Sequence, residues 1–204
     1  ALLTGNEIFK ERTQNVGVVS TEDLIALGVT GPVLRASGLK WDLRKSQPYL
    51  VYDEFEFDVP TATASDVYCR YLVRMAEMRQ SIRIIRQVLD GMPEGDINIS
   101  DTKFRRPSKD TIMVGMEELI HHFKQMTSGF PVPPGEAYVP VESSKGELGF
   151  YIVSDGTGKP QRVRVRPPSF FNLQSLPGMA RGRMIADVVA LIGSLDIVLG
   201  EIDR

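Results

Sequence analysis

Residues 66–89 read DVYCRYLVRMAEMRQSIRIIRQVL, and this stretch decides the fold. Its apolar side chains recur at spacings of three and four, the repeat of an α-helix that buries one face; they are Val67, Tyr71, Met75, Met78, Ile82, Ile85 and Leu89. Such a helix spans about 35 Å and can serve as the spine of a domain. The arginines between the apolar positions are expected to pair with carboxylates on neighbouring elements or subunits; they are Arg70, Arg74, Arg79, Arg83 and Arg86.

Shorter helices are predicted on both sides of this spine. Ser20 is a hydroxyl cap followed by acids, which favours a short helix that stops at Gly28. The other predicted helices cover about 108–127, 170–176 and 184–195, with a break at Pro177 and Gly178.

Between the helices predicted at 108–127 and 184–195, the spacing of the apolar residues changes from the helical repeat to the alternation that indicates β-strands. Three short strands are predicted at 137–141, 148–153 and 162–165, with a turn at 155–158. The sequence therefore predicts one domain over residues 1–204, mainly α with a small antiparallel β-sheet inserted at about 136–166. The glutamates around the strands are expected to be solvated at turns and sheet edges, with a functional role as the alternative; they are Glu136, Glu142 and Glu147.

Composition excludes several classes of protein. The 24 basic and 26 acidic residues give a net charge of −2, so bulk charge does not favour nucleic acid as a partner. The single cysteine, Cys69, cannot form an internal disulfide or a cysteine-rich metal site and is expected to be buried and inert. No stretch resembles a signal peptide, a membrane span or a nucleotide-binding glycine loop. The chain starts without methionine and in mid-pattern, so we expect it to be a fragment.

The last eleven residues, 194–204, combine charges with apolar side chains. Charged chain ends are usually solvated and frayed. This one keeps apolar residues between three acids and an arginine, which indicates a tail held in a cavity or against a partner, with its acids facing that space.

The pair His121-His122 does not indicate a metal site. Adjacent residues on a helix point about 100° apart, so the two rings do not converge on one ion. We expect one ring to pack or cap and the other to lie at a surface or interface.

Several stretches together resemble one family. They are Arg35-Ala36-Ser37-Gly38, Asp42-Leu43-Arg44-Lys45, Pro48-Tyr49, His122-Phe123-Lys124, the segment from Gly135-Glu136 through Glu142, Lys145-Gly146-Glu147-Leu148-Gly149, Ser154-Asp155-Gly156, Pro168-Ser169-Phe170 and Gly200-Glu201-Ile202-Asp203-Arg204. Their order and spacing resemble the C-terminal half of the 49 kDa (D) subunit of proton-pumping NADH:quinone oxidoreductase, respiratory complex I. The resemblance implies a partial fold like that of the large subunit of nickel–iron hydrogenases.

The resemblance also interprets the tail. Where such hydrogenases end in D-P-C-x-x-C, this chain has Asp196 followed by Val198 and Glu201 at the cysteine positions. Valine donates no lone pair and carboxylate is a hard ligand, so a hydrogenase-like nickel–iron site is excluded chemically and no bound nickel is expected. The family places a quinone cavity there, which Asp196, Val198, Glu201 and Arg204 are expected to line or flank.

The resemblance implies a division of labour among subunits. No catalytic residue is expected in this chain, because the family's histidine and tyrosine for the quinone headgroup lie in the N-terminal half. No cofactor is expected on the chain, with quinone as substrate and an iron–sulfur cluster on a neighbouring subunit. The expected partners are that cluster-bearing subunit, a 30 kDa-type subunit and a membrane-arm subunit. The expected location is peripheral, on the cytoplasmic side of a bacterial plasma membrane or the matrix side of the mitochondrial inner membrane. The alternative is a structural scaffold that docks neighbouring subunits of a hydrogenase-related membrane complex.

Overall fold

A computed structural model describes residues 3–101 and 104–203. These residues form eleven α-helices, a 3₁₀ turn at Tyr52–Glu54 and one three-stranded sheet. The helices are α1 Glu7–Thr13, α2 Thr21–Ala26, α3 Pro32–Arg35, α4 Leu43–Ser46, α5 Val67–Asp90, α6 Lys109–Val114, α7 Met116–Ser128, α8 Pro168–Leu173, α9 Leu176–Ala180, α10 Ile185–Leu195 and α11 Leu199–Ile202. The strands are β1 Gly135–Ser143, β2 Gly146–Ser154 and β3 Arg162–Arg166, in the order β1-β2-β3.

This architecture confirms the prediction of a mainly α fold with a small antiparallel sheet. It is compatible with the partial nickel–iron hydrogenase-like fold that the resemblance implied. Within the described ranges, none of the helices combines the length and the apolar character that crossing a membrane requires.

The chain divides into two compact units. The first comprises Ala1–Gly91, Pro140–Gly149 and Arg166–Arg204, and the second comprises Met92–Val139 and Phe150–Val165. The assignment of residues 1–204 to one domain stays a prediction. The first unit contains the largest apolar core, in which α2, α3, α5, α9 and α10 meet. Its fully buried side chains include Leu24, Val33, Met179, Leu191 and Leu195.

Helix α5 confirms the predicted spine but not its predicted buried face. Asp66 caps the helix by accepting a hydrogen bond from the Cys69 N–H at 2.7 Å. The side chains that α5 buries are Val67, Arg70, Val73 and Ile84, whereas the later members of the predicted stripe are exposed. The helical periodicity of a sequence shows which apolar faces a helix has. The elements that pack against the helix determine which of these faces is buried.

Two other local predictions differ from the structure. The helix predicted over 108–127 is two helices, because Gly115 adopts an extended conformation between α6 and α7. The predicted break at Pro177 and Gly178 lies inside α9, since proline is tolerated in the first turn of a helix. The short helices α1, α3, α4 and α11 were not predicted. In contrast, the Ser20 cap, α10 and all three strands are confirmed.

Among the glycines of the first unit, Gly31 has the backbone of another segment closest to the position where a Cβ atom would lie. Its φ is +72°, and a Cβ atom there would lie 2.5 Å from the Lys145 carbonyl oxygen and 2.6 Å from the Gly146 Cα. We expect Gly31→Ala to lower the free energy of unfolding by about 2–4 kcal/mol, through left-handed strain and overpacking. Urea titration followed by circular dichroism measures this loss.

Gly193 provides the matched control for that substitution. It lies within α10, and a Cβ there would meet nothing within 4 Å among the described residues. Gly193→Ala should leave stability unchanged or raise it by up to about 1 kcal/mol. An equal loss in both variants would contradict the assignment of Gly31 as a contact that tolerates no side chain.

Candidate functional site

The tail begins where α10 ends, at a residue in a left-handed conformation. Asp196 has φ 55° and ψ 51°, and its backbone N–H donates to the Ile192 carbonyl at 3.3 Å. Its carboxylate Oδ2 faces two cations, Arg74 Nε at 3.6 Å and the Nζ of Lys145. Asp196 is therefore held between helix α5 and the turn that joins β1 to β2.

Two arginines of α5 hold the end of α10. Arg74 donates to the Leu195 carbonyl at 3.2 Å, one residue before Asp196. Arg70 is fully buried and donates to Ser194 Oγ at 2.9 Å and to the carbonyl of Gly17 at 3.1 Å. Burial, followed by the like charge of Arg74, lowers the pKa of Arg70 to about 10, so its guanidinium stays charged at neutral pH.

The sequence predicted carboxylate partners for the arginines of α5, and the structure shows such partners for only some of them. Arg74 pairs with Asp196, and Arg83 on the exposed surface pairs with Glu56 and Asp58 at 3.4 Å each. Arg70 instead donates from Nε and Nη1 to a hydroxyl and two backbone carbonyls, while its Nη2 has no hydrogen-bond partner among the described residues; the prediction missed this arrangement. Its role in this geometry is to fix the end of α10.

The β1–β2 turn presents Lys145 to the tail from a fixed position. The Lys145 carbonyl accepts a hydrogen bond from Asn172 Nδ2 at 2.9 Å, and Asn172 Oδ1 accepts one from the Thr30 N–H at 3.2 Å. Asn172 is fully buried. The turn is therefore tied to α8 and to the loop before α3, and this anchoring directs the Lys145 side chain towards Asp196.

The remaining predicted tail residues lie against the start of α8. The Val198 N–H donates to Ser169 Oγ at 3.3 Å, and the Ser169 N–H donates to Glu201 Oε2 at 3.2 Å. The Val198 side chain remains 43% exposed, next to a more exposed Leu199. Arg204, the fourth predicted residue, lies outside the described residues.

A buried ion cluster adjoins Asp196. At its centre, the Nε of Arg35 donates to Glu77 Oε1 at 2.6 Å and its Nη1 donates to Glu142 Oε1 at 2.9 Å. Nη1 also lies 3.9 Å from Asp42 Oδ2, and Asp42 in turn pairs with Arg44 at 2.7 Å. Arg35, Asp42 and Glu142 are almost completely removed from solvent.

Four members of this cluster, Arg35, Arg44, Glu77 and Glu142, line one cavity of about 330 Å³ together with Asp196. Its polar lining also includes Arg74, Ser81, Ser143 and Ser144. Burial raises the pKa of both Glu77 and Glu142, and the opposing attraction of Arg35 is the smaller effect in each case. These two carboxyl groups therefore hold a proton more readily than a solvated glutamate does.

Glu142 corrects an expectation drawn from the sequence. It was expected to be a solvated charge at a turn or sheet edge, but it is buried and also accepts a hydrogen bond from the Leu43 N–H at 3.2 Å. Glu142 is buried because the end of β1 packs against the segment around α4. The alternation of side chains along the strand does not predict this contact.

The described residues offer no metal centre. In residues 3–101 and 104–203, no three or more His, Cys, Asp or Glu side chains are grouped so as to hold an ion. His121 and His122 are both half-buried on α7, and neither His121 Nε2 nor His122 Nδ1 has a hydrogen-bond partner within the described part of the chain. The thiol of Cys69 is partly buried, and burial raises its pKa, which disfavours the reactive thiolate.

Sequence reasoning did not identify Arg35, Glu77 and Lys145 as parts of the site. One available signal was a polar stripe on α5, in which Arg70, Arg74, Glu77 and Ser81 repeat at the helical spacing of four, three and four. A polar stripe on a helix predicted to be the spine of a core indicates buried ion pairs. Lys145 carried no comparable signal, because its contact with Asp196 joins residues 51 positions apart.

Comparison with known proteins identifies relatives over the whole chain. Residues 1–204 match the family described as "Respiratory-chain NADH dehydrogenase, 49 Kd subunit". The chain is 56% identical over 203 residues to the D subunit of the NADH-quinone oxidoreductase of Anaplasma marginale, covering 100% of this chain and 51% of that protein. It is 55% identical over 203 residues to the D subunit of the same enzyme from Paramagnetospirillum magneticum, covering 100% and 52%. It is also 55% identical over 203 residues to the D 2 subunit of the NADH-quinone oxidoreductase of Koribacter versatilis, covering 100% and 51%.

The chain spans about half the length of the curated relatives it matches. The match extends over every segment on which the resemblance was based, and that resemblance is confirmed. The chain therefore belongs to the family of the 49 kDa subunit of respiratory-chain NADH dehydrogenase.

Proposed function

We propose that this chain forms part of the wall of the quinone-reduction cavity of an NADH-quinone oxidoreductase. The observation that carries the proposal is the position of the tail, where an anchored acid, Asp196, lines a polar cavity and an apolar side chain, Val198, stays half-exposed two residues later. A quinone has a polar headgroup and an apolar body, so a wall with both characters suits it. The names of the relatives support quinone as the substrate class.

The chemistry requires a supply of two protons. Reduction of a quinone to a quinol takes up two electrons and two protons, one proton at each carbonyl oxygen. An iron–sulfur cluster on a neighbouring subunit would supply the electrons. In this proposal the buried ion cluster centred on Arg35 holds protons beside the cavity, because its members Glu77 and Glu142 have raised pKa values. Asp196 sets the electric field at the cavity wall.

The proposal includes the setting of the subunit. It acts within the assembled enzyme next to the cluster-bearing subunit, a 30 kDa-type subunit and a membrane-arm subunit, peripherally on the cytoplasmic or matrix side of the membrane. The assembled enzyme couples quinone reduction to proton translocation. The chain itself contributes the cavity wall.

A scaffold role is the second candidate, and exposed apolar side chains favour it. Met113 and Val114 in the second unit are more than four-fifths exposed, as is Ile185 in the first unit. Side chains of this kind suit docking against other subunits. The two candidates differ in what the tail does, since a scaffold needs the tail for assembly and a cavity wall needs it for turnover.

Substitution of Val198 tests the cavity assignment. In the assembled enzyme, Val198→Phe is expected to raise the KM for quinone by about tenfold, since overpacking a binding surface costs about 1–3 kcal/mol. Steady-state quinone reduction by NADH measures the effect, and oxidation of NADH by an artificial acceptor that bypasses quinone should be unchanged.

The matched control is Val189→Phe. Val189 is an exposed valine on α10 in the same unit, and the same change there should leave the quinone KM unaltered. Normal quinone kinetics in an assembled Val198→Phe enzyme would refute the cavity assignment.

A further inference from the structure

The buried ion cluster adjoins two cavities of the first unit. The cavity lined by Asp196, which we call the inner cavity, has Arg35, Arg44 and Glu142 in its wall. A second cavity, also of about 330 Å³, is lined by Asp42, and we call it the outer cavity. The solvent-exposed members of its lining are Lys40, Lys45, Ser46 and Asp58. Bulk water therefore reaches the cluster from the outer cavity, and the proposed quinone site lies at the inner one.

Asp42 connects the two cavities through ion pairs. Its carboxylate accepts hydrogen bonds from Arg44 Nε at 3.0 Å and Nη2 at 2.7 Å, and Arg44 lines the inner cavity. Asp42 Oδ2 also lies 3.9 Å from Arg35 Nη1, which donates to Glu142 Oε1 at 2.9 Å. A carboxylate of the outer cavity and one of the inner cavity thus flank the same nitrogen atom. At this separation one water molecule can bridge the two carboxylates and pass a proton between them.

The affinity for a proton increases from Asp42 to Glu142. Burial raises the pKa of Asp42, but the hydrogen bonds and charge of Arg44 and the charge of Arg35 together outweigh burial, so this pKa is lowered. For Glu142, burial outweighs the attraction of Arg35, and the pKa is raised. At neutral pH Asp42 is therefore ionised and able to accept a proton, which Glu142 then binds more firmly.

Charged and titratable groups from several segments surround these two carboxylates. They are Arg35 on α3, Lys40 before α4, Arg44 and Lys45 on α4, Tyr49, Asp58, Arg74 and Glu77 on α5, and Asp196. The Tyr49 hydroxyl accepts a hydrogen bond from the Glu142 N–H at 3.1 Å, and Glu142 Oε2 accepts one from the Leu43 N–H at 3.2 Å. These contacts hold Glu142 in place between α4 and the inner cavity.

The proposed quinone reduction requires a proton source of this kind. A bound quinone and the neighbouring subunits would exclude bulk water from the inner cavity, while each quinone takes up two protons. We propose that Asp42 is the residue at which these protons enter from solvent and that they pass through Glu142 to the inner cavity. The inference rests on the proposed function, because it names the proton source of that site.

The transfer balances protons and electrons. Each proton leaves a hydronium ion of the outer cavity, which becomes water, and binds a carboxylate oxygen of Asp42. It then moves to Glu142 and on to a carbonyl oxygen of the quinone, where the new O–H bond forms. The two electrons that reduce the quinone come from the iron–sulfur cluster of the neighbouring subunit. Asp42 does not touch the quinone, so it acts on the rate of proton supply.

Asp42→Asn in the assembled enzyme tests the proposal. The amide keeps the shape of the side chain and the hydrogen bond from the Arg44 N–H that caps α4, but it cannot relay a proton. We expect kcat with quinone to fall by about 10-fold to 100-fold at about pH 8, and by less at about pH 6, where protons are more abundant. Oxidation of NADH by an artificial acceptor that bypasses quinone should be unchanged at both pH values.

Two further readouts separate proton supply from a structural role of Asp42. The solvent deuterium isotope effect on quinone turnover should be larger in Asp42→Asn than in the wild type, because proton transfer becomes rate-limiting. Formate buffer supplies a small weak acid that can enter the outer cavity, so it should restore much of the lost turnover. Asp42→Glu keeps a carboxylate and should retain more turnover than the amide variant. A purely structural defect would respond neither to formate nor to deuterium.

A matched control and a second variant complete the test. Asp53 is an exposed acid in the 3₁₀ turn, and Asp53→Asn should behave as wild type. Glu142→Gln removes the next carboxylate and should give the same pH-dependent loss and the same rescue by formate. Normal turnover in either assembled variant, or a loss that neither pH nor formate changes, would overturn the proposal. Failure of both Asp42→Asn and Glu142→Gln to assemble would assign these residues a structural role and overturn it as well.

The test of proton entry and the test of the quinone cavity can fail separately. The effects at Asp42 are expected in kcat, whereas Val198→Phe is expected to change the KM for quinone. A raised KM in Val198→Phe with normal kcat in Asp42→Asn would leave the cavity in place and remove the proton entry.

Discussion

Replacing Arg35 with methionine is expected to lower the free energy of unfolding by about 3–5 kcal/mol, the range observed when one partner of a buried ion pair is removed. Arg35 binds Glu77 and Glu142 at once, at 2.6 and 2.9 Å. Methionine fills a similar volume but leaves two buried carboxylates without their shared cation. Urea titration of the wild-type and variant chains at pH 7 measures the loss.

The change of this stability loss with pH tests the buried ion cluster more specifically than the size of the loss does. Burial already raises the pKa of Glu77 and Glu142 above ordinary values, and removal of the cation raises both further. The folded variant then binds more protons than the unfolded chain, so its stability falls as pH rises from the ordinary range of glutamate through the raised pKa values. The penalty of Arg35→Met should therefore be larger at about pH 8 than near the ordinary pKa of glutamate, about 4.3.

Arg83→Met is the matched control for Arg35→Met. Arg83 also pairs with two carboxylates, Glu56 and Asp58, but all three side chains are well exposed. Exposed pairs contribute about 0–1 kcal/mol, so this variant should be close to wild type. Similar losses in the two variants, or a penalty of Arg35→Met that does not change with pH, would contradict the buried ion cluster.

Asp196→Asn is expected to lower quinone-dependent turnover by about 10-fold to 100-fold, while the enzyme still assembles. The amide keeps the shape of the side chain but removes the negative charge at the cavity wall, where Arg74 and Lys145 then face no carboxylate at this position. Groups that transfer protons directly in enzymes typically contribute factors of about 10²–10⁴, and an indirect role such as that of Asp196 should contribute no more than the lower limit of that range. Turnover with quinone and the yield of assembled enzyme are both measured.

Asp203→Asn and a double substitution complete the experiment. Asp203 is an exposed acid of the same tail, and its amide variant should behave as wild type. If Lys145 acts through Asp196, Lys145→Met should also lower turnover, and the double variant should lose little more than either single one. Loss of assembly in Asp196→Asn would favour the scaffold role, and normal turnover would remove Asp196 from the cavity wall.

The sequence predicted the helices and strands well, because the signals that define them depend on only a few neighbouring residues. Ser20 caps a helix as expected, the long helix begins after Asp66, and all three strands lie where the alternation indicated. The covered face of α5 was predicted wrongly, since Met78 and Ile85 follow the helical repeat as well as Ile84 does. The choice between these faces depends on which segments pack there, and those segments are distant in the chain.

The candidate site was predicted only in part for the same reason. The tail acids were recognised from the unusual mixture of charge and apolarity in residues 194–204, and Asp196 lines a cavity. Arg35 and Glu142 meet across 107 positions, and no local pattern marks such a pair. The assignment of Asp196, Val198 and Glu201 to a quinone cavity stays a prediction that rests on the family.

Labelling of the assembled enzyme with a photoreactive azidoquinone tests the central claim most directly. After illumination, the modified residues are mapped by mass spectrometry, with and without an excess of unmodified quinone. The proposed cavity wall predicts label within residues 196–202, at Val198 or Leu199 above all, and loss of that label when quinone competes. Competable label confined to other subunits, with none on this chain, would contradict it.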